Sequence, residues 1–92
     1  MTVKVKFFAN FREIIGCSED NFSVDSVKEL LKTLSETEKE LSEKFFEDEE
    51  NLELEDSVNI MVNGRKINLL DGINTELKDG DIVAIFPPVA GG

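Results

Sequence analysis

Residues 78–92 read Lys78-Asp79-Gly80-Asp81-Ile82-Val83-Ala84-Ile85-Phe86-Pro87-Pro88-Val89-Ala90-Gly91-Gly92, and three signals follow one another along this stretch. Asp79-Gly80 marks a turn, because glycine reaches positive φ without steric cost. Ile82 to Phe86 is an unbroken apolar run of strand length, as expected of a strand with neighbours on each side and cover above or below. Pro87-Pro88 then removes two N–H donors and ends sheet pairing. The order predicts a central strand followed by a projecting tail over residues 87–92. Six extended residues at about 3.3 Å each reach roughly 20 Å, enough to enter another protein's active site. Gly91 and Gly92 let backbone pass a narrow channel with no Cβ clash. The terminal carboxylate of Gly92 is then the one unhindered acyl group, and carboxylate activation is the chemistry it suggests. An ordinary frayed terminus also looks like this, so the tail gains meaning only from its neighbourhood.

Working back through the chain, Val3, Val5 and Phe7 alternate with Lys4, Lys6 and Phe8, a period of two that predicts a first strand over residues 2–9. Gly16 ends the stretch Phe11-Arg12-Glu13-Ile14-Ile15 and starts a turn toward a short second strand around Asn21 to Val24. Ser26 with Glu29 has the spacing of a capping box, and Val27, Leu30, Leu31 and Leu34 fall at i, i+3, i+4 and i+7, which predicts a helix with one buried stripe. Ser35 with Glu38 repeats the cap spacing, so a second short helix carrying Leu41 and Phe45 is expected there. Val58, Ile60 and Val62 alternate up to Asn63-Gly64, the dipeptide most favoured in a two-residue hairpin turn, and the hairpin returns through Lys66 and Ile67. The expected architecture is α+β: a mixed sheet of about five strands packed on one main helix, in a single domain over residues 1–92.

Composition removes whole classes of function. The 92 residues include 10 Lys+Arg against 20 Asp+Glu, for a formal charge of -10, which argues against gripping nucleic-acid phosphates or anionic lipid. No apolar run approaches the length of a membrane span, and polar residues at Asn10, Arg12 and Glu13 interrupt any signal-peptide stretch, so a cytoplasmic protein is expected. One cysteine, Cys17, and no histidine leave no intramolecular disulfide and no usual zinc site, so no metal is expected. Cys17 reads as a small packing residue rather than a persulfide carrier, with no basic cluster evident beside it. Eleven acids against two lysines lie between Glu36 and Asp56. They read as a solvated helix and a mobile acidic loop, serving solubility or alternatively docking.

The opening Phe7-Phe8-Ala9, Arg12-Glu13 and Gly16, together with the ending from Lys78 to Gly92, resembles the small subunit of molybdopterin synthase, the MoaD branch of the MoaD/ThiS sulfur carriers. The resemblance implies a β-grasp, ubiquitin-like fold with the first and last strands parallel at the sheet centre. It implies that an E1-like adenylating enzyme, MoeB-like, uses ATP to adenylate the carboxylate of Gly92, and that a sulfur donor converts it to a thiocarboxylate. Phe86, Pro87, Pro88, Val89, Ala90 and Gly91 are the implied partner-binding residues. The tail would then enter the large, MoaE-like subunit of a heterotetramer and deliver sulfur to the molybdopterin dithiolene. The chain itself would bind no cofactor, and the catalytic side chains would lie on its partners. The middle of the chain departs from the family in length and acidity, which bears on partner identity. Three other readings stay open: a protein modifier joined to lysines through Gly92, a sulfur carrier for thiamin synthesis, and an interaction module with an inert tail. Phe7, Phe8 and Phe86 are expected mainly in the core, with the uncovered sheet face a possible apolar docking patch.

Overall fold

The computed structural model describes residues 2–48, 53–54 and 58–86. Its chain order is β1 (Val3–Phe7), α1 (Ala9–Ile15), β2 (Glu19–Phe22), α2 (Val27–Thr37), α3 (Lys39–Phe45), β3 (Phe46–Asp48), β4 (Glu53–Leu54), β5 (Asn59–Val62), β6 (Arg65–Lys66) and β7 (Ile82–Phe86). Five strands form the main sheet in the order β2-β1-β7-β5-β6. β1 and β7 run parallel, with Val5 opposite Val83 and Phe7 opposite Ile85, while β2 and β5 lie antiparallel on their outer sides. This is the β-grasp arrangement, and β7 is central as its uninterrupted apolar sequence implies.

Val3, Val5, Phe7, Val83, Ile85, Ile60 and Val62 all point to one side of the sheet and are buried there. α2 covers them because its apolar stripe matches theirs: Val27, Leu30 and Leu31 are fully buried and Leu34 nearly so. Its start is set by Ser26, whose Oγ accepts a hydrogen bond from the Glu29 N–H at 3.1 Å, satisfying one of the free donors of the first turn. The α2 axis ends at Thr37, and Glu38 turns to an extended conformation with its N–H donating to the Leu34 carbonyl at 2.9 Å. A change of axis is needed because Leu41 and Phe45 reach a different part of the core, where the Phe45 ring meets Phe11 edge-on with centroids 5.2 Å apart. The second helix is therefore present. The Ser35–Glu38 pair does not cap it: Ser35 lies inside α2, and its buried Oγ has no hydrogen-bond partner among the described residues.

Several expectations are corrected. The stretch before Gly16 is a helix, α1, whose Phe11 is fully buried and whose Ile14 and Ile15 pack against the core. Gly16 ends it in the left-handed region at φ 92, with its N–H donating to the Arg12 carbonyl at 2.8 Å in the manner of a glycine C-cap. β2 starts earlier than expected, at Glu19. Its pairing stops at Phe22, which lies opposite Val3 where β1 begins, so Val24 is buried beyond the strand rather than in it. The acidic span contains α3 and a second small sheet, β3 against β4 with Phe46 opposite Leu54, because ladder pairing satisfies backbone groups that an unpaired loop leaves to water. Residues 49–52 and 55–57 of that span lie outside the described residues. The hairpin forms with Asn63 at φ 52 and Gly64 at φ 84, both positive as the two-residue turn requires. Its return strand ends at Lys66, since Ile67 turns into a 3-10 segment and is buried.

Candidate functional site: the strand that carries the tail

β7 is held at its start by the turn expected from Asp79-Gly80. The Gly80 N–H donates to the Thr2 carbonyl at 2.9 Å, the Lys4 N–H to the Asp81 carbonyl at 3.0 Å, and the Thr2 N–H to Asp79 Oδ1 at 2.8 Å. On the other side Asn63 reaches across from the hairpin turn. Its Nδ2 donates to Asp81 Oδ1 at 3.0 Å, and its Oδ1 accepts from the Ile82 N–H at 2.9 Å. The Lys78 N–H donates to Asp81 Oδ2 at 2.8 Å. These donors favour the ionised carboxylate, so the Asn63 amide first, and the Lys78 amide with it, lower the Asp81 pKa below its ordinary value. Glu29 shifts the other way: a hydrogen bond and like charge from Asp25 raise its pKa. That pair sits at the start of α2 and contributes nothing to the path of β7.

At its far end β7 finishes at Phe86, which lies opposite Asn59 and stacks on Phe8, ring centroids 4.4 Å apart and planes within 12°. Offset stacking of this kind adds to the apolar area it buries. Phe8 is placed by the reversal from β1 into α1, where Ala9 takes φ 52, a left-handed conformation that alanine adopts only at an energetic cost. Of the expected site residues, Phe86 is therefore a half-buried strand terminus in contact with Phe8, while Pro87, Pro88, Val89, Ala90, Gly91 and Gly92 lie outside the described residues.

The face of the sheet turned away from α2 carries the alternate residues. Ile82 is 42% exposed, Ala84, Phe86 and Met61 are half-buried, and Lys4, Lys6 and Lys66 flank them. β7 is thus central within the sheet but covered on one side only. Its outward apolar residues form a strip ending at Phe86. Of the three phenylalanines expected mainly in the core, Phe7 is fully buried there, while Phe8 and Phe86 belong to the rim of this open face. Cys17 packs against the core in a half-buried position, and Arg12 and Glu13 are exposed on α1. Among the described residues no group of three or more metal-ligating side chains converges, and no helix is long and apolar enough to cross a membrane. The Phe8–Phe86 stack and the Asn63–Asp81 clasp escape sequence reading, because each joins residues far apart in the chain.

Comparison with known proteins agrees with this geometry. The profile of the ThiS family matches residues 5–92. Small archaeal modifier protein 3 of Haloferax volcanii is 40% identical over the whole length of both chains. The solution structure of small archaeal modifier protein 1 from Methanosarcina acetivorans superposes with a TM-score of 0.87 at 40% identity, over 99% of this chain and 96% of that one. A protein-protein complex of subunits 1 and 2 of the molybdopterin-converting factor from Helicobacter pylori contains a chain 28% identical to this one, with a TM-score of 0.62 and full coverage of both. With the β1–β7 parallel pair at the sheet centre, the helix-covered core and a match running through Gly92, the chain belongs to the ThiS/MoaD family of ubiquitin-like sulfur carriers.

Proposed function

We propose that the chain is a sulfur carrier whose terminal Gly92 carboxylate is activated by an E1-like, MoeB-like adenylating enzyme, and that it serves as the small subunit of molybdopterin synthase. The observation that supports this most is the anchoring of Phe86: the strand leading into the tail is hydrogen-bonded on both sides, clasped at its start and stacked at its end. A tail on such a strand starts from a fixed point, which lowers the entropy lost when a partner captures it. Carboxylate is a poor electrophile. Its oxygen attacks the α-phosphorus of ATP, pyrophosphate leaves, and Gly92 becomes an acyl adenylate. A hydrosulfide-level sulfur nucleophile from the donor then adds to the acyl carbon, the bond to AMP breaks, and a thiocarboxylate remains. A MoaE-like large subunit would accept Pro87, Pro88, Val89, Ala90 and Gly91 along its channel and direct the sulfur to the dithiolene. The ATP belongs to the activating enzyme, and this chain supplies the acyl group and the docking surface.

A second reading is favoured by the 40% identity to two small archaeal modifier proteins. There the same activated Gly92 is captured by a lysine amine of another protein, giving an isopeptide bond with loss of AMP.

Intact-protein mass spectrometry of the chain from its native cells tests both. Exchange of one terminal oxygen for sulfur adds about 16 Da to the 10.3 kDa chain. Methionine oxidation adds nearly the same mass, so fragmentation must place the change on Gly92 rather than on Met1, Met61 or Cys17. A thiocarboxylate at Gly92 supports the carrier. Gly92–lysine adducts with no thiocarboxylate would replace it with the modifier.

A further inference from the structure

Of the seven asparagines, Asn63 alone is followed by glycine, and that dipeptide has a chemistry of its own. The Gly64 amide nitrogen, giving up its proton to water, attacks Asn63 Cγ; the new C–N bond closes a succinimide and ammonia leaves. Water then opens the imide at either carbonyl, leaving aspartate or isoaspartate in place of asparagine. Glycine permits the approach, since a Cβ on the attacking residue would crowd the ring. Gly64 is exposed, with open space where a Cβ would stand. The restrained partner is the electrophile. Asn63 Nδ2 donates to Asp81 Oδ1 at 3.0 Å and its Oδ1 accepts from the Ile82 N–H at 2.9 Å, so both polar atoms of the amide are committed to the start of β7. Asp81 is fixed in turn by the Lys78 N–H on its other oxygen. Reaction requires Cγ aligned on the Gly64 nitrogen at near-contact distance, and turning it there takes both amide atoms off their partners.

We propose that Asn63-Gly64 is a site of spontaneous deamidation latched by Asp81, and that its modification releases the start of β7 irreversibly. While the clasp is closed the amide is protected; each local opening of the turn lets the imide form. The products cannot restore the clasp. Aspartate at this position still accepts from the Ile82 N–H but has no N–H for Asp81, and it sets a second carboxylate against the first. Isoaspartate adds a methylene to the backbone of a two-residue turn, which disturbs the pairing of Val62 with Arg65 on either side of it. The inference is independent of the chemistry at Gly92.

The test follows ammonia loss over time in the intact wild-type chain, Asp81→Ala, Asp81→Asn and Leu41→Val at one pH and temperature, with folding checked by circular dichroism. Fragmentation places on residue 63 the mass gained when an amide NH2 becomes OH. Asp71-Gly72 and Asp79-Gly80 isomerise without change of mass and are told apart by that. Wild type in guanidinium chloride gives the unlatched rate. Each net hydrogen bond should slow the reaction about fivefold, so the folded wild type is expected to react about thirtyfold more slowly than the denatured chain, and Asp81→Ala about fivefold faster than wild type. Asp81→Asn keeps an oxygen for Asn63 Nδ2 and should stay within about twofold of wild type. Leu41→Val loosens the buried core on α3 and leaves the latch intact, so it too should stay within about twofold. Equal rates in the folded and denatured wild type would overturn the proposal, as would an Asp81→Ala chain that reacts at the wild-type rate. Equal acceleration by Leu41→Val and Asp81→Ala would assign the gate to global unfolding and overturn it as well. The isolated modified chain is expected to melt below wild type, and a product that melts with it would refute the release of β7.

Discussion

Asn63 makes a quantitative test of how β7 is held. Its backbone N–H donates to the Ile82 carbonyl at 2.8 Å, its side chain spans to Asp81 and to the Ile82 N–H, and its φ is 52. Asn63→Gly keeps the turn conformation and removes only the two side-chain hydrogen bonds. Each contributes about 1 kcal/mol net, the bond to the Asp81 carboxylate being stronger intrinsically but weakened by its exposure to water. The expected loss is about 2 kcal/mol, with a fraction more from the added freedom of glycine in the unfolded chain. Asn63→Ala also meets the left-handed penalty of about 1–2 kcal/mol, so a loss of roughly 3 kcal/mol is expected. For a chain of this length each kcal/mol moves Tm by roughly 4–8 °C. The glycine variant should therefore melt about 8–16 °C below wild type, with urea midpoints shifted in proportion. A cycle with Asp81→Ala should return a coupling of about 1 kcal/mol between the two side chains. An Asn63→Gly protein within about 0.5 kcal/mol of wild type would refute the clasp.

The same carboxylate predicts a pH dependence. Folding lowers the Asp81 pKa below its ordinary value of 3.8, so its contribution is complete above that value and disappears as pH falls through the lower, folded one. The stability gap between wild type and Asp81→Asn should close in that acid window, and a gap that persists to lower pH would be contrary to it. Phe45→Ala empties a fully buried site against Phe11 and should lower stability by about 3–5 kcal/mol in urea titration. Ala9→Gly should hold stability or raise it by up to about 1 kcal/mol, because it removes the left-handed penalty that the exposed alanine already bears, while Ala9→Val should destabilise, since a β-branched side chain fits φ 52 worse still. Equal effects of the two would show that the conformation is not what limits the residue. Adding one residue after Gly92 should abolish pyrophosphate exchange while moving Tm by less than a few degrees, and retained exchange would exclude terminal carboxylate activation.

The amino-acid sequence alone determined the elements whose signals are local. The period-two alternation of Val3, Val5 and Phe7, the Ser26 cap with its Leu30–Leu31–Leu34 stripe, the Asn63-Gly64 turn and the apolar run of β7 each depend on residues within a few positions of one another. They sufficed for an α+β sheet packed on one main helix, and the resemblance of both ends, Phe7-Phe8-Ala9 with Arg12-Glu13 and Gly16, and Lys78 to Gly92, implied the β-grasp and the family. α1 was not legible. Its seven residues are too few to show a helical period, and what holds them helical is the burial of Phe11 against Phe45, 34 positions on. Nor was it legible which face of β7 is covered, because Ile82, Ala84 and Phe86 belong to the same unbroken apolar run as Val83 and Ile85. Only the location of α2 decides which set is covered. The Asn63–Asp81 clasp, the Phe8–Phe86 stack and the flanking of the open face by Lys6 and Lys66 likewise exist through strand register. Register is a property of the assembled sheet, where a slip of one residue would exchange the faces and separate every one of these pairs.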